Sequence, residues 1–226
     1  MITEKVPKRL VIGNSKGGVA KSTTVRNLAV IAAADGLTVA TVDLDKQRSL
    51  TQWVERRPAG AYPISHFEAT LMDVESLKEL TGFDIVIVDT PPLVTDSDPD
   101  QVRNDESLRN LYDLLKFADF VLTPTLQQIE DVSETVAWMK LLGKLNIKCA
   151  SLLSATTRRT LSFDDAKRKL SVVGLHCGVD IQRLEDIPAS SRQGIGIIEL
   201  KKGKGQEDFI AVWQFVKQQL GMSGAE

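Results

Sequence analysis

Ser15-Lys16-Gly17-Gly18-Val19-Ala20-Lys21-Ser22-Thr23-Thr24, one residue beyond the apolar run Leu10-Val11-Ile12-Gly13, is the stretch whose reading decides the fold. The pattern predicts a short strand, a glycine-bearing turn and a helix from Lys21 to Asp35, closed by Gly36. Glycines let consecutive backbone N–H groups turn inward and form a nest for anionic oxygens. The helix that follows adds its own unpaired N–H groups and the positive end of its dipole. In such a loop Lys21 reaches β- and γ-phosphates, and the Ser22 hydroxyl is a hard oxygen ligand suited to Mg²⁺. The usual pattern, G-x-x-x-x-G-K-[ST], puts glycine at positions 15 and 20, where this chain has Ser15 and Ala20. Taken alone, the loop leaves open a plain glycine-rich turn between strand and helix.

Two further segments narrow the choice. Val39-Ala40-Thr41-Val42-Asp43-Leu44-Asp45 is an apolar run ending in two carboxylates. Phe83-Asp84-Ile85-Val86-Ile87-Val88-Asp89-Thr90-Pro91-Pro92 is a continuous one ending in Asp89. Runs of Val and Ile that are apolar on both faces read as central parallel strands. Ligands of open α/β sheets sit at the carboxyl ends of the strands. Strands ending at Gly13, Asp43 and Asp89 therefore converge on one nucleotide. Asp89 is expected to hold Mg²⁺, and Asp45 to lie near the γ-phosphate, able to position an attacking water.

Lys16-Gly17-Gly18-Val19-Ala20-Lys21-Ser22-Thr23 resembles the deviant Walker-A loop of the ParA/MinD ATPases, K-G-G-x-G-K-[ST]-[ST], whose hallmark is the extra lysine, here Lys16. Asp43-Leu44-Asp45-Lys46-Gln47 is similar to the family's D-x-D-P-Q, with lysine for proline, and Asp89-Thr90-Pro91-Pro92 to its D-x-P-P. Weaker echoes are Val121-Leu122-Thr123-Pro124 and Gln193-Gly194-Ile195-Gly196, so the resemblance runs from about residue 8 to 220. It is nearest to the short ParA-type partition ATPases of plasmids, with a narrower likeness to the stability ATPases of conjugative plasmids.

The resemblance implies a P-loop NTPase fold: α/β, a doubly wound and mostly parallel sheet with helices on both faces, as a single domain over residues 1–226. ATP and Mg²⁺ are the implied cofactors. Lys16 would reach the partner's phosphates across an ATP-sandwich homodimer, and Lys21 would bind phosphate in its own subunit. Gly17, Gly18, Val19, Ala20, Ser22 and Thr23 complete the cradle. Ser22 and Asp89 would hold the metal, with Asp43 in its outer shell, and Asp45 would support hydrolysis. Three departures stand out. Ala20 puts a methyl where backbone must approach phosphate, Leu93 and Val94 replace a glycine-bearing switch, and Ser154 stands where the family often has Asn.

Alternating apolar runs give further helices at about 49–57, 70–81, 104–117, 130–144, 161–171 and 207–220, and strands at about 62–67, 119–123, 147–153 and 177–182. Thr95 to Asp105 reads as an exposed acidic loop. The formal net charge is only −2, yet the charge is unevenly spread. Residues 68–135 hold 16 Asp and Glu against 4 Lys and Arg, and residues 138–206 hold 13 Lys and Arg against 6 Asp and Glu. Clustered positive charge binds phosphate backbones without reading sequence. The ParA resemblance implies non-specific DNA as a partner, with Arg158, Arg159, Lys201, Lys202 and Lys204 as candidate contacts. A ParB-like centromere-binding or other DNA-binding adaptor is the implied protein partner. The solvated face of ordinary helices is the competing reading of those charges.

Cys149 and Cys177 are far apart and set among apolar residues, which predicts free buried thiols and no C-x-x-C metal site. His66 and His176 lack a ligand set and read as structural. No apolar run reaches the length of a membrane span, and the charged start, Met1 to Arg9, lacks a signal-peptide core. A cytoplasmic, nucleoid-associated protein without a membrane partner is the expectation. The apolar stripe Phe209, Ile210, Val212, Trp213, Phe215, Val216 and Leu220 is read as core packing, because its polar face lacks the basic residues of a membrane anchor. Three classes stay open: a DNA-partition ATPase, a nucleotide-gated scaffold with little turnover, and a MinD-like positioning ATPase or small-molecule kinase.

Overall fold

In the computed structural model, residues 5–92 and 105–222 are described. Six parallel strands form one sheet in the order β3-β2-β4-β1-β5-β6. They are β1 (Lys8–Ile12), β2 (Val39–Asp43), β3 (Ser65–Glu68), β4 (Ile85–Asp89), β5 (Phe120–Thr125) and β6 (Cys149–Leu153). The register aligns Ile12 and Asp43 with Asp89, so the carboxyl ends of β1, β2 and β4 finish at one edge of the sheet.

Alternate strand residues enter two cores because the sheet is covered on both faces. Leu10, Ile12, Ile85, Ile87, Phe120 and Leu122 pack under α1 (Lys21–Ala34) and α8 (Gln206–Leu220). Val11, Ala40, Val42, Val86, Val88 and Val121 pack under α3 (Val74–Lys78), α4 (Glu106–Phe117) and α5 (Ile129–Lys144). The carboxyl-terminal stripe is core: Phe209, Val212, Trp213, Val216 and Leu220 are buried, while Ile210 is exposed. Trp53 anchors α2 (Ser49–Glu55) in the same layer, its ring N–H donating to the Ile195 carbonyl at 3.3 Å. No helix among the described residues is long and apolar enough to cross a membrane.

Several expected elements come out differently. The helix expected over 70–81 is a 3₁₀ turn, Leu71–Asp73, running into the five-residue α3. Asp73 draws in both the N–H and the hydroxyl of Thr70, which tightens the first turn, and Gly82 (φ 82°) turns the chain into β4. The strand expected over 177–182 is instead an irregular cover on the edge of β6. It touches that region at isolated bridges, Ser151 to His176 and Thr156 to Gln182, with Ile181 N–H reaching Leu153 O at 2.9 Å. The helices α6 (Leu161–Val173) and α7 (Asp186–Arg192) follow β6. Sequence reading missed α7, whose seven residues carry Pro188 in the first turn, where its missing N–H costs nothing. The acidic loop from Thr95, Leu93 and Val94, and the start of the helix expected at 104 lie outside the described residues.

Candidate functional site

The loop between β1 and α1 is held open by its own backbone. Gly18 and Ala20 both sit in the left-handed region, at φ 75° and φ 70°. Ala20 immediately precedes α1, and the first helical bond runs from Thr24 N–H to Ala20 O, so the N–H groups of Lys21, Ser22 and Thr23 precede the helical ladder. Asn14, fully buried, fixes the loop to the sheet. Its amide donates to Pro124 O (2.8 Å) and Thr135 Oγ1 (2.9 Å), and its carbonyl accepts from Lys16 N–H (3.1 Å) and the Ser15 hydroxyl (3.2 Å).

Lys21 is buried at the base of the loop and donates to the Lys16 carbonyl at 2.8 Å. Burial lowers its pKa, with the carboxylates of Asp89 and Asp45 pulling the other way. Lys16 points back onto its own subunit, 2.8 Å from Asp131 and 3.5 Å from Glu134 on α5, and the hydrogen bond to Asp131 raises its pKa.

Asp89 ends β4 almost completely buried, and among the described residues neither carboxylate oxygen has a hydrogen-bond partner. Burial pushes its pKa up to about 7, against the nearby Ser22 hydroxyl, which favours the charged form. An orphaned buried carboxylate is costly unless a cation or proton meets it. With the hard oxygen of Ser22 beside it, the donor set fits Mg²⁺. Asp43, expected in the ion's outer shell, spends both oxygens inside the fold. One accepts from Asp45 N–H at 3.0 Å, the other from the N–H (2.9 Å) and hydroxyl (3.0 Å) of Thr51. It therefore organises the turn that presents Asp45 and caps the start of α2.

Two cavities of about 300 Å³ each meet at this loop. One is lined by Gly17, Gly18, Lys21, Ser22, Arg26, Asp45, Gln47, Ser49 and Pro92 and is mostly polar in character. The other is more apolar and is walled by Thr24, Ser154, Ala155, residues 181–185, Ile187, Pro188 and Phe209. Ala20 and Thr23 line both. The Ser154 hydroxyl is buried on the apolar side, without a hydrogen-bond partner among the described residues. An anionic chain with an apolar head group matches this two-part shape.

The five basic residues expected to meet DNA fall in two places. Arg158 is exposed but ion-paired: its guanidinium binds Asp180 Oδ2 (2.9 Å), Asp180 O (3.0 Å) and Asp208 Oδ1 (3.1 Å). Arg159 beside it is exposed, at φ 63°. Lys201, Lys202 and Lys204 are exposed before α8, without an ion-pair partner among the described residues. His66 bridges Thr41 and Thr51, and His176 meets Ser151 Oγ at 2.8 Å, so both serve the fold. Cys177 is buried and Cys149 half-buried, both free. Sequence reading missed Arg26 and the wall from Ile181 to Pro188. Arg26 left a signal, as a cation five residues after Lys21 in an otherwise uncharged helix.

Residues 10–198 match the CobQ/CobB/MinD/ParA nucleotide binding domain. The chain belongs to this family. Members of its ParA/MinD branch are ATPases. A carboxysome distribution protein A of Gloeobacter kilaueensis is 42% identical over 86 residues, 38% of this chain and 39% of that relative's length. The structure superposes on McdA of Cyanothece in complex with ATP (TM-score 0.72, 19% identity, 98% and 99% of the two chains). It superposes equally on MinD of Pyrococcus horikoshii with Mg-ADP (0.73, 16%, 97% and 100%). A Borrelia burgdorferi plasmid partition protein bound to AMPPNP gives 0.71 at 17% identity, over 94% and 99%. These likenesses establish the doubly wound ParA/MinD fold expected from the sequence.

Proposed function

We propose that this family member is a switch that binds ATP and Mg²⁺, closes as a homodimer on non-specific DNA, and is reset by hydrolysis that an adaptor protein stimulates. The observation that carries the reading is the junction of a polar and an apolar cavity at a left-handed loop, beside an orphaned buried carboxylate. Loop N–H groups and Lys21 receive the β- and γ-phosphates, and the apolar cavity receives the base. Ser22 and Asp89 hold Mg²⁺, which supplies charge neutralisation at the phosphate oxygens. Asp45, carried on the turn that Asp43 organises, orients the attacking water. Lys16 leaves Asp131 and Glu134 to reach the partner's phosphates on closure.

Exposed Lys201, Lys202 and Lys204, with Arg159, supply the charge for DNA. Arg158, exposed beside Arg159, adds to that charge while paired with Asp180 and Asp208. A second reading of the cargo, a protein-bound cellular body rather than a plasmid, is favoured by the 42% identity to a carboxysome distribution protein. Steady-state ATP hydrolysis with and without random-sequence duplex and a candidate adaptor tests the proposal. Turnover should be slow alone and rise on adding both. Absence of hydrolysis under every condition would leave the nucleotide-gated scaffold as the better account.

A further inference from the structure

We propose that Arg26 is a nucleotide-binding residue of this chain, engaging the α-phosphate through a guanidinium anchored on Thr23. A nucleotide is a fixed sequence of base, ribose, α-, β- and γ-phosphate. If the base occupies the apolar cavity and the β- and γ-phosphates the polar one, the α-phosphate lies where the cavities join. Ala20 and Thr23 line both, so they mark that point. Arg26 lines the polar cavity, and its guanidinium donates to Thr23 Oγ1 at 2.8 Å. One further small cavity, of about 260 Å³, is bounded by Thr23 and Arg26 on one side and Ile187, Pro188, Ser191 and Arg192 on the other.

The electrostatics around Arg26 also ask for an anion. No carboxylate forms an ion pair with it among the described residues, although it is half-buried. Burial lowers its pKa to about 10, the Asp89 carboxylate opposing this and the positive charge of Arg56 adding to it. Uncompensated cations gathered at a cavity wall are stabilised when a phosphate takes their remaining donors. Arginine suits this place better than lysine because its planar fork binds Thr23 and a phosphate oxygen together.

The inference rests on the nucleotide reading above, and the choice of ligands separates the two. Binding of ATP, ADP, AMP and adenosine is measured by displacement of a fluorescent ADP analogue from wild type, Arg26→Gln, Arg26→Lys and Lys21→Ala. Arg26→Gln should weaken ATP, ADP and AMP by the same factor, roughly tenfold, and leave adenosine unchanged. Arg26→Lys, which keeps the charge and the α1 packing, should recover part of the loss. Lys21→Ala should weaken ATP and ADP but spare AMP. Unchanged AMP binding in Arg26→Gln, or a loss confined to ATP, overturns the assignment while leaving the phosphate loop intact. Failure of Lys21→Ala to weaken ATP overturns the phosphate loop itself. Thermal unfolding without nucleotide checks each variant. If Arg26→Gln does not fold, Arg26→Lys decides the question: equal weakening of ATP and AMP supports the assignment, and unchanged AMP binding overturns it.

Discussion

Replacing Ala20 by glycine tests whether this loop is built for phosphate at a cost to the free protein. Ala20 sits at φ 70°, ψ 26°, immediately before α1. An L-residue in that region carries about 1–2 kcal/mol of strain, because its Cβ crowds the following carbonyl. Glycine removes that strain but returns about 0.5–1 kcal/mol to the unfolded chain as added freedom. The net gain is about 0.5–1 kcal/mol, or roughly 1–4 °C in Tm for a domain of this size. The methyl also lies on the wall shared by both cavities, so its removal lets the backbone approach the phosphates more closely. A further ~0.5–1 kcal/mol of contact reads as a roughly two- to fivefold rise in ATP affinity. Differential scanning calorimetry of the free protein and isothermal titration with ATP and Mg²⁺ measure the two effects separately. A Tm below wild type would refute the strain argument, and weaker ATP binding would refute the placement of position 20 against phosphate.

Lys21→Ala should lower ATP affinity at least tenfold in calorimetry, since one charge-assisted contact is worth roughly 1.5–3 kcal/mol. Asp45→Ala should bind ATP as wild type does yet hydrolyse it far more slowly, accumulating as a dimer in size-exclusion chromatography with light scattering. Hydrolysis at the wild-type rate would show that another carboxylate positions the water. Asn14→Ala, which removes four hydrogen bonds, one to β5, one to α5 and two within the loop, should reduce Tm and ATP affinity together, whereas a change in Tm alone would make Asn14 merely structural. His176 titrates near 4 rather than 6.5, because burial and then Lys167 disfavour its charged form. Its unfolded form therefore takes up a proton first, so its contribution is intact above pH 6.5 and is lost as pH falls toward 4. His176→Gln should flatten that part of the Tm-versus-pH curve, and an unchanged slope would assign the loss to other groups.

The parts of the fold legible in the sequence are those whose signals are local. β1, the loop, α1, β2 and β4 announce themselves through continuous apolar runs, a glycine pair and acidic strand ends, because each strand is buried on both faces. Lys21 and Ser22 follow from the loop motif and Asp89 from the acidic end of β4, and the register of β1 and β4 sets Asp89 beside the end of β1, where the loop begins. What the sequence hides depends on tertiary context. The 177–182 run has strand composition but only caps the edge of β6, and α7 is too short to show a period. The part of the cavity wall from Ile181 to Glu185 is irregular backbone held by long-range bonds such as Arg183 N–H to Thr156 O, which leave no trace in spacing. The ion pairs of Arg158 are hidden in the same way, since its partners Asp180 and Asp208 are distant in sequence.

DNA retention as a function of nucleotide tests the central claim most directly. Wild-type protein is sedimented with a random-sequence duplex in the presence of Mg²⁺ and either ATP or ADP, over a salt series. The account predicts that ATP alone gives a dimer, twice the 24.8 kDa chain, bound to any duplex and released steeply as salt rises. ADP should leave a monomer with no measurable retention. A monomer in saturating ATP, or equal DNA binding with ATP and ADP, would contradict it.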